Sequence, residues 1–171
     1  MNRIRFDRYA VAGPPGEEFY GGTDLVVPVV DGEPLFVRVG DRWPGLAVEF
    51  VAPPSRLWLG EPVAGLAEGG RTVILDGECG HAGCCGVFAR VLVGDSNVRW
   101  DDFSARGAPA LPPDLRFVFE RRAYERALAG VELLRPIEWV APAEQPPVPP
   151  CARHLEWRHS HRAPNDDLRR W

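Results

Sequence analysis

Glycine and proline recur so often along this chain that mostly short regular elements are expected. The 171 residues include 18 Gly and 18 Pro. Glycine adopts the backbone angles of tight turns and proline lacks an amide donor, so both interrupt helices and strands. Because 45% of the residues are hydrophobic, the chain still has enough apolar side chains for an ordinary core. We therefore expect a domain of short elements joined by many turns.

Apolar and β-branched runs between these breaks predict a mainly antiparallel sheet. Pro28 lies within one run and indicates an edge strand there. The central runs predict a three-stranded meander, and the apolar patch at Leu57–Leu59 predicts irregular structure or one helical turn. The predicted strands are Arg3–Val11, Leu25–Val30, Leu35–Val39, Leu46–Val51, Thr72–Leu75, Gly86–Val93, Asn97–Phe103 and Phe117–Phe119.

One principal helix is predicted over Glu120–Leu134, where Tyr124, Leu128 and Val131 share one face. The predicted fold class is therefore α+β, a mainly antiparallel sheet with one principal C-terminal helix. We expect a single β-rich domain over residues 1–140. Residues 141–150 contain five prolines and predict a stiff linker. Residues 151–171 form a short Arg/His/Trp tail.

Charge and hydropathy narrow the classes of partner. The net charge is −4, so we expect no nucleic-acid partner. No apolar run is long enough to span a bilayer and the first residues lack an apolar signal segment, so we expect no membrane and a cytoplasmic location. In such a reducing compartment, cysteines are more often free thiols or metal ligands than members of disulfide bonds. A protein partner is expected, and the oligomeric state is left open.

The segment Asp76–Gly86 is the most distinctive in the chain, with three cysteines, one histidine and four glycines. Its glycines predict a tight reversal flanked by two thiols. Three interpretations stay open: a zinc site, a redox pair formed by Cys79 and Cys84, or small buried thiols that only pack. The candidate zinc ligands are Cys79 and Cys84 with one or two of His81, Cys85, Cys151 and His154.

No recognisable catalytic motif is present, so no catalytic or cofactor-binding residue is assigned. Asp101 and Asp102 are adjacent on a predicted strand, and strand alternation predicts that they face opposite sides. The leading hypothesis is a non-enzymatic accessory or protein-interaction protein. The alternatives are a small zinc-binding domain and a thiol redox protein.

Several of these segments together resemble a group of uncharacterised actinobacterial proteins. The resemblance rests on the Cys-Gly-x-x-Gly-Cys hairpin at Cys79–Cys84 and the Val-x-Trp-x-x-Phe strand at Val98–Phe103. Trp43–Leu46, Phe117–Phe119 and Tyr124–Leu128 extend it to roughly residues 43–130. In the relatives a further cysteine stands where this chain has Gly77, and Cys85 is additional here. The resemblance implies a shared fold and no particular activity.

Overall fold

The computed structural model describes residues 1–11, 24–40, 45–76, 85–106 and 110–139. Their strands form two five-stranded sheets. The first sheet contains β1 (Ile4–Val11), β2 (Asp24–Val30), β3 (Glu33–Pro34), β4 (Leu46–Ala47) and β10 (Ile137–Trp139). The second contains β5 (Ala67–Glu68), β6 (Arg71–Asp76), β7 (Gly86–Val93), β8 (Asn97–Arg106) and β9 (Phe117–Glu120). The helices are α1 (Leu35–Arg38), α2 (Val48–Val51) and α3 (Arg121–Ala129), with 3₁₀ turns at Leu57–Leu59 and Val131–Leu133.

The predicted α+β class, with a mainly antiparallel sheet, is confirmed. Strands β6, β7 and β8 pair antiparallel in chain order, which confirms the predicted meander. Strand β9 adds to β8 at the far side. Among the named strands of the described ranges, one pairing is parallel, between β1 and β10. The predicted linker and tail lie outside the described residues.

Pro28 lies in an interior strand, so the predicted edge position is wrong. On one side β2 pairs with β1, where Phe6 stands opposite Pro28. On the other side β3 pairs only with Val29 and Val30, and β4 pairs only with Leu25 and Val26. The second partner of β2 is thus interrupted beside Pro28. A residue without an amide donor is tolerated at such a gap.

Two predicted strands are largely replaced by single helical turns. Leu35–Val39 was expected to be extended, but α1 begins directly after Pro34 and buries Leu35 and Val39 on one face. In the predicted strand Leu46–Val51, only the first two residues are extended, and α2 follows. Short apolar runs do not distinguish a buried strand from a buried helical turn. Of the two structures expected around Leu57–Leu59, irregular chain or one helical turn, the structure has a 3₁₀ turn.

Helix α3 is shorter than the predicted helix over Glu120–Leu134. It ends at Ala129, before Gly130, and a 3₁₀ turn carries the chain onward. Glu120 begins the helix, because its carboxylate accepts hydrogen bonds from the amides of Arg122 (3.0 Å) and Ala123 (2.6 Å). These hydrogen bonds hold the pKa of the Glu120 carboxyl below its ordinary value. The predicted buried face, Tyr124, Leu128 and Val131, is confirmed.

The two sheets are joined by hydrogen bonds at two corners. At one, the Asn2 amide donates to the Val118 carbonyl at 2.7 Å, and the Val118 amide donates to Asn2 Oδ1 at 2.9 Å. The Asp31 carboxylate orients this corner by accepting hydrogen bonds from the Arg3 amide and from Asn2 Nδ2, each at 2.7 Å, and these bonds lower the pKa of the Asp31 carboxyl. At the other, the Asp76 amide donates to the Gly45 carbonyl at 3.1 Å.

A cluster of aromatic rings fills the space between the sheets. Trp58, on the first 3₁₀ turn, stacks on Phe6 of β1 and meets Trp100 of β8 edge-on. Tyr124 of α3 contacts both Phe6 and Trp100 at centroid distances of 6.0 Å. All four side chains are buried, so the cluster joins the two sheets, the turn and the helix into one hydrophobic core.

Two hydrogen bonds fix Trp58 within this cluster. Its indole Nε1 donates to the Val73 carbonyl at 2.9 Å, and the Tyr124 hydroxyl donates to the Trp58 carbonyl at 2.7 Å. Burial raises the pKa of the Tyr124 phenol far above its ordinary value, and the facing Trp100 indole offsets this only in part. The Trp100 N–H itself makes no hydrogen bond of ordinary geometry within the described ranges. Because its pKa is raised, the Tyr124 hydroxyl stays protonated and donates its hydrogen bond to the Trp58 carbonyl.

Tyr124→Phe is expected to lower the free energy of unfolding by about 1–3 kcal/mol, because the buried Trp58 carbonyl loses its donor and no water replaces it. Urea denaturation measures the change. Tyr9→Phe is the matched control, since its ring is only partly buried and water can solvate the site, so its effect should be smaller. Equal losses in the two variants would show that the Tyr124 hydroxyl has no special role.

Candidate functional site

The base of the cysteine and glycine segment is the first candidate site. Asp76 at the end of β6 pairs with Gly86 at the start of β7, so the segment connects two adjacent antiparallel strands as predicted. Cys85 is 6% exposed and precedes Gly86 directly. Asp76 is also buried, and its amide takes part in the corner hydrogen bond to Gly45. The strand ends that carry the segment are therefore held firmly.

Gly86 is required at this base. Its φ is +123°, a conformation that residues with a side chain rarely adopt. A Cβ atom there would lie 2.2 Å from the Leu75 carbonyl oxygen and 2.9 Å from the Asp76 carbonyl carbon. The close approach lets the two strands pair up to the last residue. One of the four glycines of the segment thus has a steric explanation.

The predicted metal ligands are not tested by the described residues. Cys79, His81, Cys84, Cys151 and His154 all lie outside these residues, so only Cys85 of the predicted set has a described position. Within the described part of the chain, no three His, Cys, Asp or Glu side chains come together in a group that could hold a metal ion. The zinc and redox interpretations stay predictions.

Asp101 and Asp102 form the second candidate site, and the prediction that they face opposite sides is wrong. Arg90 contacts both, with Nε 3.1 Å from Asp101 Oδ1 and Nη2 3.7 Å from Asp102 Oδ2. The register between β7 and β8 shifts between Phe88 and Arg90, and Asp102 adopts a φ of +52°. This bulge breaks the strict alternation of side chains on which the prediction depended.

Two further arginines complete an ion-pair cluster around the bulge. Arg71 donates to the Asp102 carbonyl and to its carboxylate, both at 2.7 Å, and Arg99 Nε lies 2.7 Å from Asp101 Oδ2. Each of the three guanidinium groups thus already faces a carboxylate. Partly exposed pairs of this kind contribute little to stability, typically less than about 1 kcal/mol each. The cluster is best explained as an anchor for the bulge.

The third candidate is an exposed apolar surface beside β10, which the sequence analysis missed. Leu133 is 90% exposed and Ile137 is 53% exposed. Both lie next to the same part of β1, because Arg8 donates to the Glu132 carbonyl at 3.0 Å and Tyr9 pairs with Ile137. We call this edge of the sheet, with the exposed Leu133 and Ile137, the β10 surface. Its only sequence signal was the short Ile-Glu-Trp run after Pro136.

Strand β10 is also an edge of its sheet. Within the described ranges it pairs only with β1, so its other side presents main-chain amides and carbonyls without a strand partner there. Free edges are the usual places where a further strand adds to a sheet. Apolar side chains and an open main-chain edge are therefore combined in one place.

Comparisons with family models, with curated proteins and with solved structures found no match to this chain. The resemblance to actinobacterial proteins therefore stays a prediction. None of the helices in the described ranges is both long and apolar enough to cross a bilayer.

Gly86→Ala is expected to lower the free energy of unfolding by about 3 kcal/mol or more, because strain at a positive φ adds to the overlap with the Leu75 carbonyl. Gly65→Ala is the matched control: its φ is +85°, but a Cβ there meets no atom within 4 Å. It should cost about 1–2 kcal/mol. Urea denaturation of both variants checks the difference, and equal costs would contradict the steric argument.

Proposed function

We propose that this chain is a protein-interaction protein whose β10 surface binds an extended apolar segment of a partner protein. The observation that carries the proposal is the exposure of Ile137 on an open edge strand and of Leu133 on the turn before that strand. Such a surface suits β-strand addition, in which main-chain hydrogen bonds supply affinity and neighbouring side chains supply specificity. Covering the Leu133 side chain alone would contribute about 1.5–3 kcal/mol.

The rest of the described chain supports this choice. The buried polar groups of Trp58 and Tyr124 serve as internal hydrogen-bond donors, and the Arg/Asp cluster is internally paired. The large apolar side chains beside β10, in contrast, have no described role within the domain. A function that depends on a partner covering them explains their exposure.

The test is affinity capture with the full chain from an extract of the source cells, followed by binding measurements on each captured protein after purification. Leu133→Asp should lose the partner, and Ile137→Thr, which preserves strand propensity, should weaken it. Val37→Asp is the control, because Val37 is equally exposed (53%) but lies on α1, beside the opposite end of the sheet. If all variants bind the same purified proteins with the same affinity, the β10 surface is not the binding site.

A second candidate function is zinc binding at the cysteine and glycine segment. It is favoured by the pairing of Asp76 with Gly86, which brings the two ends of the segment together, and by the burial of Cys85 beside them. Two cysteines on a short loop of this kind can supply half of a tetrahedral zinc site. The remaining ligands would come from His81, Cys85, Cys151 and His154.

Zinc binding predicts about one metal ion per chain in purified protein and a lower melting temperature after chelation. Cys79→Ser and Cys84→Ser should each reduce the bound zinc strongly, whereas Cys85→Ser tests whether the buried thiol belongs to the ligand set. Metal-free protein whose melting temperature is unchanged by a chelator would exclude zinc. A thiol count that then cycles between oxidant and reductant would favour the redox alternative instead.

A further inference from the structure

We propose that Asp31 is a site of spontaneous isomerisation to isoaspartate, and that Asn2 and Arg3 keep this reaction slow in the folded chain. Isomerisation of this kind needs no enzyme. It is favoured where glycine follows aspartate, because glycine has no side chain to hinder its own amide nitrogen. Asp31–Gly32 is the one Asp-Gly pair of which both residues lie within the described ranges. The site is separate from the β10 surface and does not depend on a partner.

The turn between β2 and β3 presents the reacting residues to solvent. Val30 pairs with Glu33, so Asp31 and Gly32 are the two central residues of a tight hairpin. Their φ values are +53° and +90°, as a type I′ turn requires. Both residues are exposed, and a Cβ atom on Gly32 would meet nothing within 4 Å. No packed neighbour therefore restrains the turn on the side where a Gly32 side chain would lie.

The reaction consumes and returns only water. The Gly32 amide nitrogen attacks Cγ of the Asp31 carboxyl group, a nitrogen–carbon bond forms, and the amide proton leaves with the carboxyl hydroxyl as water. Water then opens the resulting succinimide ring. When it breaks the bond between the Gly32 nitrogen and the original main-chain carbonyl carbon, the main chain runs through the Asp31 side chain. The product is isoaspartate, and the mass of the chain is unchanged.

The hydrogen bonds of Asp31 oppose the first step. The hydroxyl leaves readily only when the carboxyl group is protonated, whereas both carboxylate oxygens accept N–H donors in the folded chain. Oδ1 accepts from the Arg3 amide and Oδ2 accepts from Asn2 Nδ2, each at 2.7 Å. These bonds, with smaller contributions from the charges of Arg38 and the Met1 amino group, lower the pKa of the Asp31 carboxyl, and its slight burial opposes them. The protonated form that reacts is therefore scarce.

Isomerisation at this turn weakens a corner between the two sheets. Asn2, which binds the Asp31 carboxylate, also binds Val118 of β9 through its main chain and its side chain. Isoaspartate adds one atom to the main chain, and its carboxylate is attached at a different carbon, so the two bonds to Asn2 and Arg3 are lost together. The modified chain lacks the contact that orients this corner.

The test is ageing of the full chain at neutral pH, followed by peptide mapping with mass-spectrometric fragmentation that distinguishes isoaspartate from aspartate. Asn2→Asp retains the oxygen that accepts from the Val118 amide, removes the Nδ2 donor and places a negative charge beside Asp31. Isoaspartate should then form at Asp31 roughly three- to tenfold faster, the range expected from the loss of one such hydrogen bond. Asp31→Glu, whose longer side chain cannot close the five-membered ring, should abolish the signal at this position.

Asp95 is the internal reference in each sample, because Asp95–Ser96 is an exposed turn of the other sheet, between β7 and β8. Its isomerisation rate should be the same in Asn2→Asp and in the unaltered chain. Equal rates at Asp31 in these two proteins would overturn the inference, as would the absence of isoaspartate at Asp31 in both. Equal acceleration at Asp31 and Asp95 would also overturn it, because the substitution would then act through general loosening of the fold.

Discussion

The burial of Trp58 between the two sheets, with the Tyr124 hydroxyl donating to its carbonyl, is the contact on which the rest of the fold depends. It connects α3 to a 3₁₀ turn that has little regular structure of its own, and the Trp58 indole in turn binds the main chain of β6. Because Trp58 also stacks on Phe6 of the other sheet, one residue positions three elements at once. In a chain of short strands, the contacts of one such central residue supply packing that larger sheets obtain from long elements.

The sequence predicted the second sheet better than the first, and the reason is the distance along the chain between paired strands. The meander β6–β7–β8 is formed by consecutive runs with clear turns, so local pattern suffices. The first sheet pairs β1 with β10 from the other end of the described chain, and it divides one side of β2 between two short strands. No local pattern contains that information. The same limit hid the β10 surface.

The alternation of side chains between the two faces of a strand gave a wrong prediction where the backbone is not extended. Asp101 and Asp102 show why. Asp102 was placed correctly on β8, but its φ of +52° rotates its carboxylate to the side of Asp101 and Arg90. Sequence could suggest this only weakly, since aspartate tolerates the left-handed region better than most residues. Gly86 differs from Asp102, because the sequence did predict its role in the turn. What the sequence could not predict is the close approach of its backbone to the Leu75 carbonyl.

Strand β10 differs from the other edge strands of the two sheets. Strands β3, β4 and β5 have two residues each, which is too short to recruit another strand strongly. The outer side of β9 is occupied by Asn2, whose amide and side chain bind Val118. Among the described strands, β10 alone joins an open edge to a large exposed apolar side chain, that of Ile137, and the exposed Leu133 lies on the turn just before it. A surface of this kind favours self-association unless a partner covers it, which is the role that the proposed function gives to the partner.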